Sequence, residues 1–381
     1  MKLFKSPYTI LSIIFIIIVF SLGFLSDKFS TQNSSTVKNN QVAEKLYIAL
    51  EGEGAIAVTN TKDNSLLGKI DLTYKKGDKM VTFAAHNIQV APDGKNVWVT
   101  ANFMDFGGHE EEETNSEETT IPDQVIVIDP LKDEIIKRID IAPDQHLAHI
   151  VATRDGKTAF ATAQEPGLVY RINGETYKID KTLPLAKDSQ PHGLRLSSDD
   201  TKAYIALIGG KGIGVIDIKT NEIKIIPLAG SAIQTAVIPN SSYIAASIYD
   251  TKQMAFYDSL TEEVFYIDLP FESEGAIQSY ATPDGKYLYV ADQGYYFGKP
   301  TSDYVYKIDV QNKEVVQRIQ AGVAPHGVVV SPDGKRAYIT NLLSDDISVI
   351  DTLTDKEITK VKVGKMPNGI SLWSHQSGGT P

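Results

Sequence analysis

The chain has no cysteine among its 381 residues. Disulfides, thiolate metal ligands, cysteine nucleophiles, covalent c-type haem attachment and a lipid-modified N-terminal cysteine are therefore excluded. Tryptophan is scarce, with two residues, and basic charge is in deficit: 37 Lys and Arg against 48 Asp and Glu leave a net charge of -11. A uniformly acidic balance repels phosphate backbones and argues against nucleic acid as a partner. Helical periodicity is almost missing after Ala43. No Gly-x-Ser-x-Gly, His-Glu-x-x-His or phosphate-binding loop is found, so no catalytic set declares itself. With 42% hydrophobic and 22% charged residues, the chain nevertheless has the composition of a folded globular protein.

A single long apolar run is present. Lys2 and Lys5 precede the uncharged stretch Tyr8–Leu25, and no small-x-small cleavage site follows it. This pattern predicts an uncleaved signal anchor over residues 1–28, with the lysines inside and the body outside the cytoplasm. A cleaved secretory signal is the alternative, and it also places the body outside. Residues 29–42 are polar and aperiodic and predict a flexible stalk.

From residue 43 to 373 the chain repeats itself. "PHGVVVSPDGKRAYITN" begins at Pro325, "PHGLRLSSDDTKAYIAL" at Pro191 and "AHNIQVAPDGKNVWVTA" at Ala85. Turn residues Asp93, Asp155, Asp199, Asn240, Asp284 and Asp333 fall at separations of 62, 44, 41, 44 and 49. A second marker closes a later strand: Asp129, Asn173, Asp217, Asp258, Asp309 and Asp351. Turn and marker lie 18 residues apart in four units, while the other two units, at 36 and 25, carry insertions near Met104–Asp123 and Gly294–Asp303. Short alternating strands with a period in the forties, four to a unit, predict a β-propeller. Six units are complete. A seventh is split: Lys45–Leu72 supplies three strands and Met366–Trp373 the missing innermost one. The expected fold is therefore an all-β, seven-bladed propeller closed by its C-terminal strand, with residues 374–381 as a disordered tail. A single copy is expected to be the working unit.

"PHGVVVSPDGKRAYITN…ISVIDTLTDKEI" resembles the YVTN-type repeat of the YncE-like propellers, and more distantly the cytochrome d1 haem and lactonase-type propellers. The resemblance spans nearly all of residues 43–373. It implies fold strongly and activity weakly, because this architecture hosts unrelated functions.

The recurring histidine is the main candidate for chemistry. His86, His192 and His326 each stand seven residues before a turn residue. Blade 3 has Ala148 there, flanked by His149 and near His146; blades 5 and 6 carry Gln234 and Gln278 one residue later, and the closing blade carries Asn368. Innermost strands ring the central channel, so these groups are expected at its mouth. His86, His149, His192 and His326 form the expected metal set, since neutral imidazoles suit copper, zinc or haem iron. The resemblance points the same way, because the d1-type propeller binds haem across this mouth. The competing reading is architectural: a histidine in a repeated loop can serve simply to bond a backbone carbonyl.

Other features weigh less. The insertion Met104–Asp123 holds six glutamates and His109 but lacks the spacing of a calcium loop, and it reads as a solvated loop. Gly209–Gly214, "GGKGIG", mimics a dinucleotide fingerprint but has no helix after it, so it reads as a hairpin. Glu165, Arg154 and Arg195 are channel candidates that their spacing does not single out. Gln293–Pro300 puts aromatic residues on a loop suited to ligand or partner contact. The expected function is a membrane-anchored extracytoplasmic binding or scaffold propeller that takes a protein or small molecule at one face. Its cofactor would be a divalent metal (copper or zinc) or non-covalent haem. The alternative is a propeller enzyme, lactonase-like or redox.

Overall fold

A computed structural model describes residues 42–104, 121–186 and 188–379. The expected anchor and stalk and nearly all of the acidic insertion, His109 included, lie outside the described residues. Among the described residues no helix is long and apolar enough to cross a membrane.

Seven antiparallel sheets are present. Blade 1 combines the C-terminal strand Pro367–Ser374 with Glu44–Leu50, Ala55–Asn60 and Ser65–Asp71. The innermost strands A of blades 2 to 7 are Lys79–Val90, Leu147–Ala152, Pro191–Leu196, Ala232–Val237, Ala276–Ala281 and Pro325–Val330. Strands B, C and D follow outward in each blade. The expected seven-bladed fold and its closure by the C-terminal strand are both seen. Two details were not expected. Strand A of blade 2 is extended and pairs at its start with Tyr74–Lys76, and the tail turns back so that Gly378–Gly379 pairs with Trp373 and Ser374.

Burial grades outward. Strand A of blade 7 is buried throughout, whereas strand D, Lys356–Lys362, buries one residue, Val361. Inner strands are covered by neighbouring blades on both faces, so they read as continuous apolar runs, while rim strands face water.

Local chemistry explains the two repeat markers. Each Asp-Gly turn is an Asx turn: Asp93, Asp155, Asp284 and Asp333 accept the N–H two residues on at 3.0–3.1 Å, and their glycines take φ of 68° to 73°. The "VID" marker does the same at the C–D turn, where Asp129 accepts the Leu131 N–H and Asp351 those of Leu353 and Thr354. Gly209–Gly214 lies in the hairpin between strands B and C of blade 4, as its lack of a following helix implied.

Candidate functional site at the channel mouth

Strand A starts at one mouth of the channel, and the D–A and B–C loops share that face. These segments collect five of the seven histidines: His86, His146, His149, His192 and His326. Ring centroids form an open chain: His146 to His86 at 5.8 Å, His86 to His192 at 5.6 Å, and His192 to His149 at 5.3 Å.

The expected ring divides into two registers. His192, His326 and Asn368 stand second in their strands at the mouth, and His86 holds the same register within the longer strand A of blade 2. His149, Gln234 and Gln278 come one residue later, and a one-residue shift turns a strand side chain to another face. That second position points between blades. A Cβ on Gly193 would overlap the Gln234 side chain, and one on Gly369 would press on Asn87 of the next blade. His149 accordingly is 0% exposed, with both ring nitrogens unpaired.

Sequence reasoning missed Glu51, which turns out to organise the mouth. It sits in the B–C hairpin of blade 1. Its carboxylate accepts Tyr296 Oη–H at 2.6 Å and Asn368 Nδ2–H at 2.6 Å, and lies 3.5 Å from His86 Nδ1. Tyr296 belongs to a 3-10 turn, Tyr295–Phe297, in the aromatic B–C insertion of blade 6. It reaches past blade 7, edge-on to His326 at 5.3 Å, to meet blade 1. Phe297 anchors that turn by stacking on Tyr249 at 4.2 Å. The contacts seen for this loop, expected to suit a ligand or partner, are with the protein's own mouth and blade 5. Burial alone would raise the Glu51 pKa, but its bonds with His86, Tyr296 and Asn368 outweigh burial and lower it to about 2.

Four of the imidazoles, His146, His149, His192 and His326, are held neutral. Burial, then the neighbouring His86, lowers His146 to about 4 and His326 to about 3. His149 and His192 are pushed well below 6.5 by burial and then by other imidazoles. Hydrogen bonds assign tautomers. His192 Nδ1–H donates to the Ile233 carbonyl at 2.9 Å, which leaves a lone pair on Nε2. His326 Nδ1 accepts the Gln293 amide at 2.7 Å, so its proton sits on the buried, unpartnered Nε2. Gln293 is oriented in turn, because its Oε1 accepts the Tyr296 backbone N–H.

These facts bear on the expected copper or zinc set. Among the described residues no three His, Asp or Glu side chains converge so as to hold an ion. His149 lies between blades, and His326 presents a proton where a ligand needs a lone pair. As arranged, the mouth is a hydrogen-bonding surface with both donors and acceptors, and the four histidines do not form a ligand shell. The scattered candidates separate likewise. Glu165 approaches His146 at 3.9 Å on this face. Arg195 is buried on strand A of blade 4. Arg154 is exposed at the far end, where its N–H binds the Asp200 carboxylate.

Comparison with known proteins agrees with the resemblance read from the repeats. Residues 296–377 match the YncE-like β-propeller family. Antigen Lp49 of Leptospira interrogans serogroup Icterohaemorrhagiae is 30% identical over 177 residues, covering 42% of this chain and 38% of that protein. The chain thus matches well under half the length of this curated relative. Among solved structures, hydrazine synthase of Kuenenia stuttgartiensis superposes with a TM-score of 0.62 at 17% identity, covering 86% of this chain and 99% of the other. The dihydro-heme d1 dehydrogenase NirN, solved in complex with DHE, gives 0.57 at 14% identity over 89% and 77%. At such identities the likeness establishes the fold alone.

Proposed function

We propose that this YncE-type propeller is a binding protein that takes a small polar organic ligand at the imidazole-lined mouth. We further propose that it works outside the cytoplasm, held there by its N-terminal apolar segment. The observation that carries the binding reading is the pairing of opposite hydrogen-bonding characters on one surface. His192 offers an Nε2 lone pair, His326 an Nε2–H without a partner, and Glu51 an ionised carboxylate. Buried polar atoms left unpaired cost about 1–3 kcal/mol each, and a complementary ligand recovers that cost. Nothing in the constellation supplies a nucleophile. One arrangement favours the enzyme alternative: the Tyr296–Glu51–His86 chain sets an acidic carboxylate beside a phenol whose pKa burial and then Glu51 push well up. Such a chain can relay a proton.

A thermal-shift screen of the full chain against small polar metabolites, beside the His192→Ala/His326→Ala double variant, tests the proposal. Ligands should raise Tm saturably in the parent and fail in the folded double variant. A stoichiometric metal or a haem absorbance band in chelator-free protein, lost in the double variant, would overturn it in favour of a redox protein. Turnover of a ligand, abolished by Tyr296→Phe, would favour the enzyme.

A further inference from the structure

Below the histidines, strand A of blade 4 holds a cation with no carboxylate partner among the described residues. Arg195 lies three residues beyond His192 on strand A of blade 4, about 10 Å deeper by the rise of a strand. It is 9% exposed. Its guanidinium donates from one nitrogen, Nη1, to the carbonyl of its neighbour Leu194 at 2.9 Å. Among the described residues no carboxylate pairs with it, although every other arginine in a blade interface or on the rim has a side-chain or carbonyl partner on another strand: Arg138, Arg171, Arg318 and Arg336. A buried charge is ordinarily paired, because desolvation costs several kcal/mol. Among the described residues the hydrogen bond shown for the guanidinium uses one of its five N–H donors, on a carbonyl of its own strand.

The surroundings are donors too. The Gln234 side chain packs against Gly193, two residues before Arg195 on the same strand. Its Oε1 is taken by the Thr235 N–H at 3.1 Å, while Nε2–H is buried without a partner. His149, 5.3 Å from His192, is buried with both nitrogens free. After burial and His192, the Arg195 charge lowers the pKa of His149.

We propose that the channel is a binding site for a small carboxylate, gripped by the Arg195 guanidinium. The planar fork of arginine matches a carboxylate through two parallel N–H···O bonds, a geometry lysine does not offer. This inference does not rest on the reading of the mouth, since it uses different residues at a different depth.

The test is titration of the full chain with sodium acetate, followed by thermal shift and calorimetry, against sodium chloride at equal ionic strength. Acetate should raise Tm saturably where chloride does not. Arg195→Lys should weaken the apparent Kd about tenfold, because charge is kept and the fork is lost. Arg195→Met should abolish the response, and His192→Ala/His326→Ala should keep it. The proposal is overturned by the absence of a saturable acetate response, by a response to inorganic phosphate alone, or by an unchanged Kd in Arg195→Lys. That last variant decides the matter should Arg195→Met not fold.

Discussion

Glu51 and His326 beside it both cost stability in acid, but over different pH windows, and each residue leaves its own mark. Glu51 titrates near 4.5 when unfolded and near 2 when folded. The unfolded chain therefore binds its proton first as pH falls. The stability Glu51 contributes is complete above about 4.5 and is lost as pH drops through about 2. His326 also has a lowered folded pKa, about 3 against 6.5, so below 6.5 the unfolded chain accepts a proton that the fold refuses. Stability should thus begin to decline below pH 6.5, with each excluded imidazole proton adding about 1.4 kcal/mol per pH unit. Urea unfolding followed from pH 7 to 3 checks both effects. His326→Gln should flatten the limb that begins at 6.5, whereas Glu51→Gln should change only the limb below about 4.5. Identical slopes in all three proteins would contradict the assignment.

Turns show why neighbouring blades hold together. The C–D turns place one residue at positive φ: Asp133 at 58°, Asn221 at 64°, Asp355 at 54°. Each reaches the preceding blade. Asp133 receives Lys45 Nζ at 2.7 Å and the Tyr47 hydroxyl of blade 1. Asp355 receives Lys307 Nζ at 2.7 Å and Tyr289 of blade 6, and Asn221 receives Arg171 of blade 3. The first latch is dry, with side chains 2% and 0% exposed. Asp133→Ala should therefore cost about 3–5 kcal/mol, since it strands a buried ammonium. Asp355→Ala, at a latch that is 7% and 16% exposed, should cost less. Chemical denaturation of both variants orders them; equal losses would remove desolvation as the cause. Sequence and structure part company at this scale. The Asx turns are local, so Asp93 or Asp351 announces its turn within three residues, and blades can be counted. The latch joins residues 88 apart, and no spacing rule reports it. The site divides the same way. The histidine repeat and its one-residue slip at His149 were both legible, but not that the slip buries the imidazole between blades without a partner. Nor was Glu51 distinguishable, one acid in a hairpin, because its partners Tyr296 and Asn368 are 245 and 317 residues away.

At the scale of the molecule, one strand makes the ring a closed object. Pro367–Ser374 pairs with Glu44–Leu50, Lys45 facing Trp373 and Leu46 facing Leu372. Ile370 and Leu372 also pack with Val329, Tyr338 and Val349 of blade 7, and Trp373 with Val90 and Val97 of blade 2. Its indole N–H bonds the Gly94 carbonyl of blade 2 at 2.9 Å. Removal of residues 366–381 would therefore do three things at once: bare the edge of blade 1, strip one wall from each adjoining core, and delete Asn368 from the mouth. An exposed inner edge is a template for another chain. Each blade of a propeller is supported by its neighbours, so the loss should spread around the ring. The truncated chain should elute as oligomers, bind a hydrophobic dye and lose its single cooperative transition. Removal of 375–381 alone should leave cooperativity intact, because the strand and Trp373 remain. A monomeric 1–365 chain that melts in one step at the parent temperature would show that six and a half blades suffice. A synthetic peptide of residues 366–374 separates closure from a general truncation defect: it should restore monomer and transition together, by filling the one edge left open.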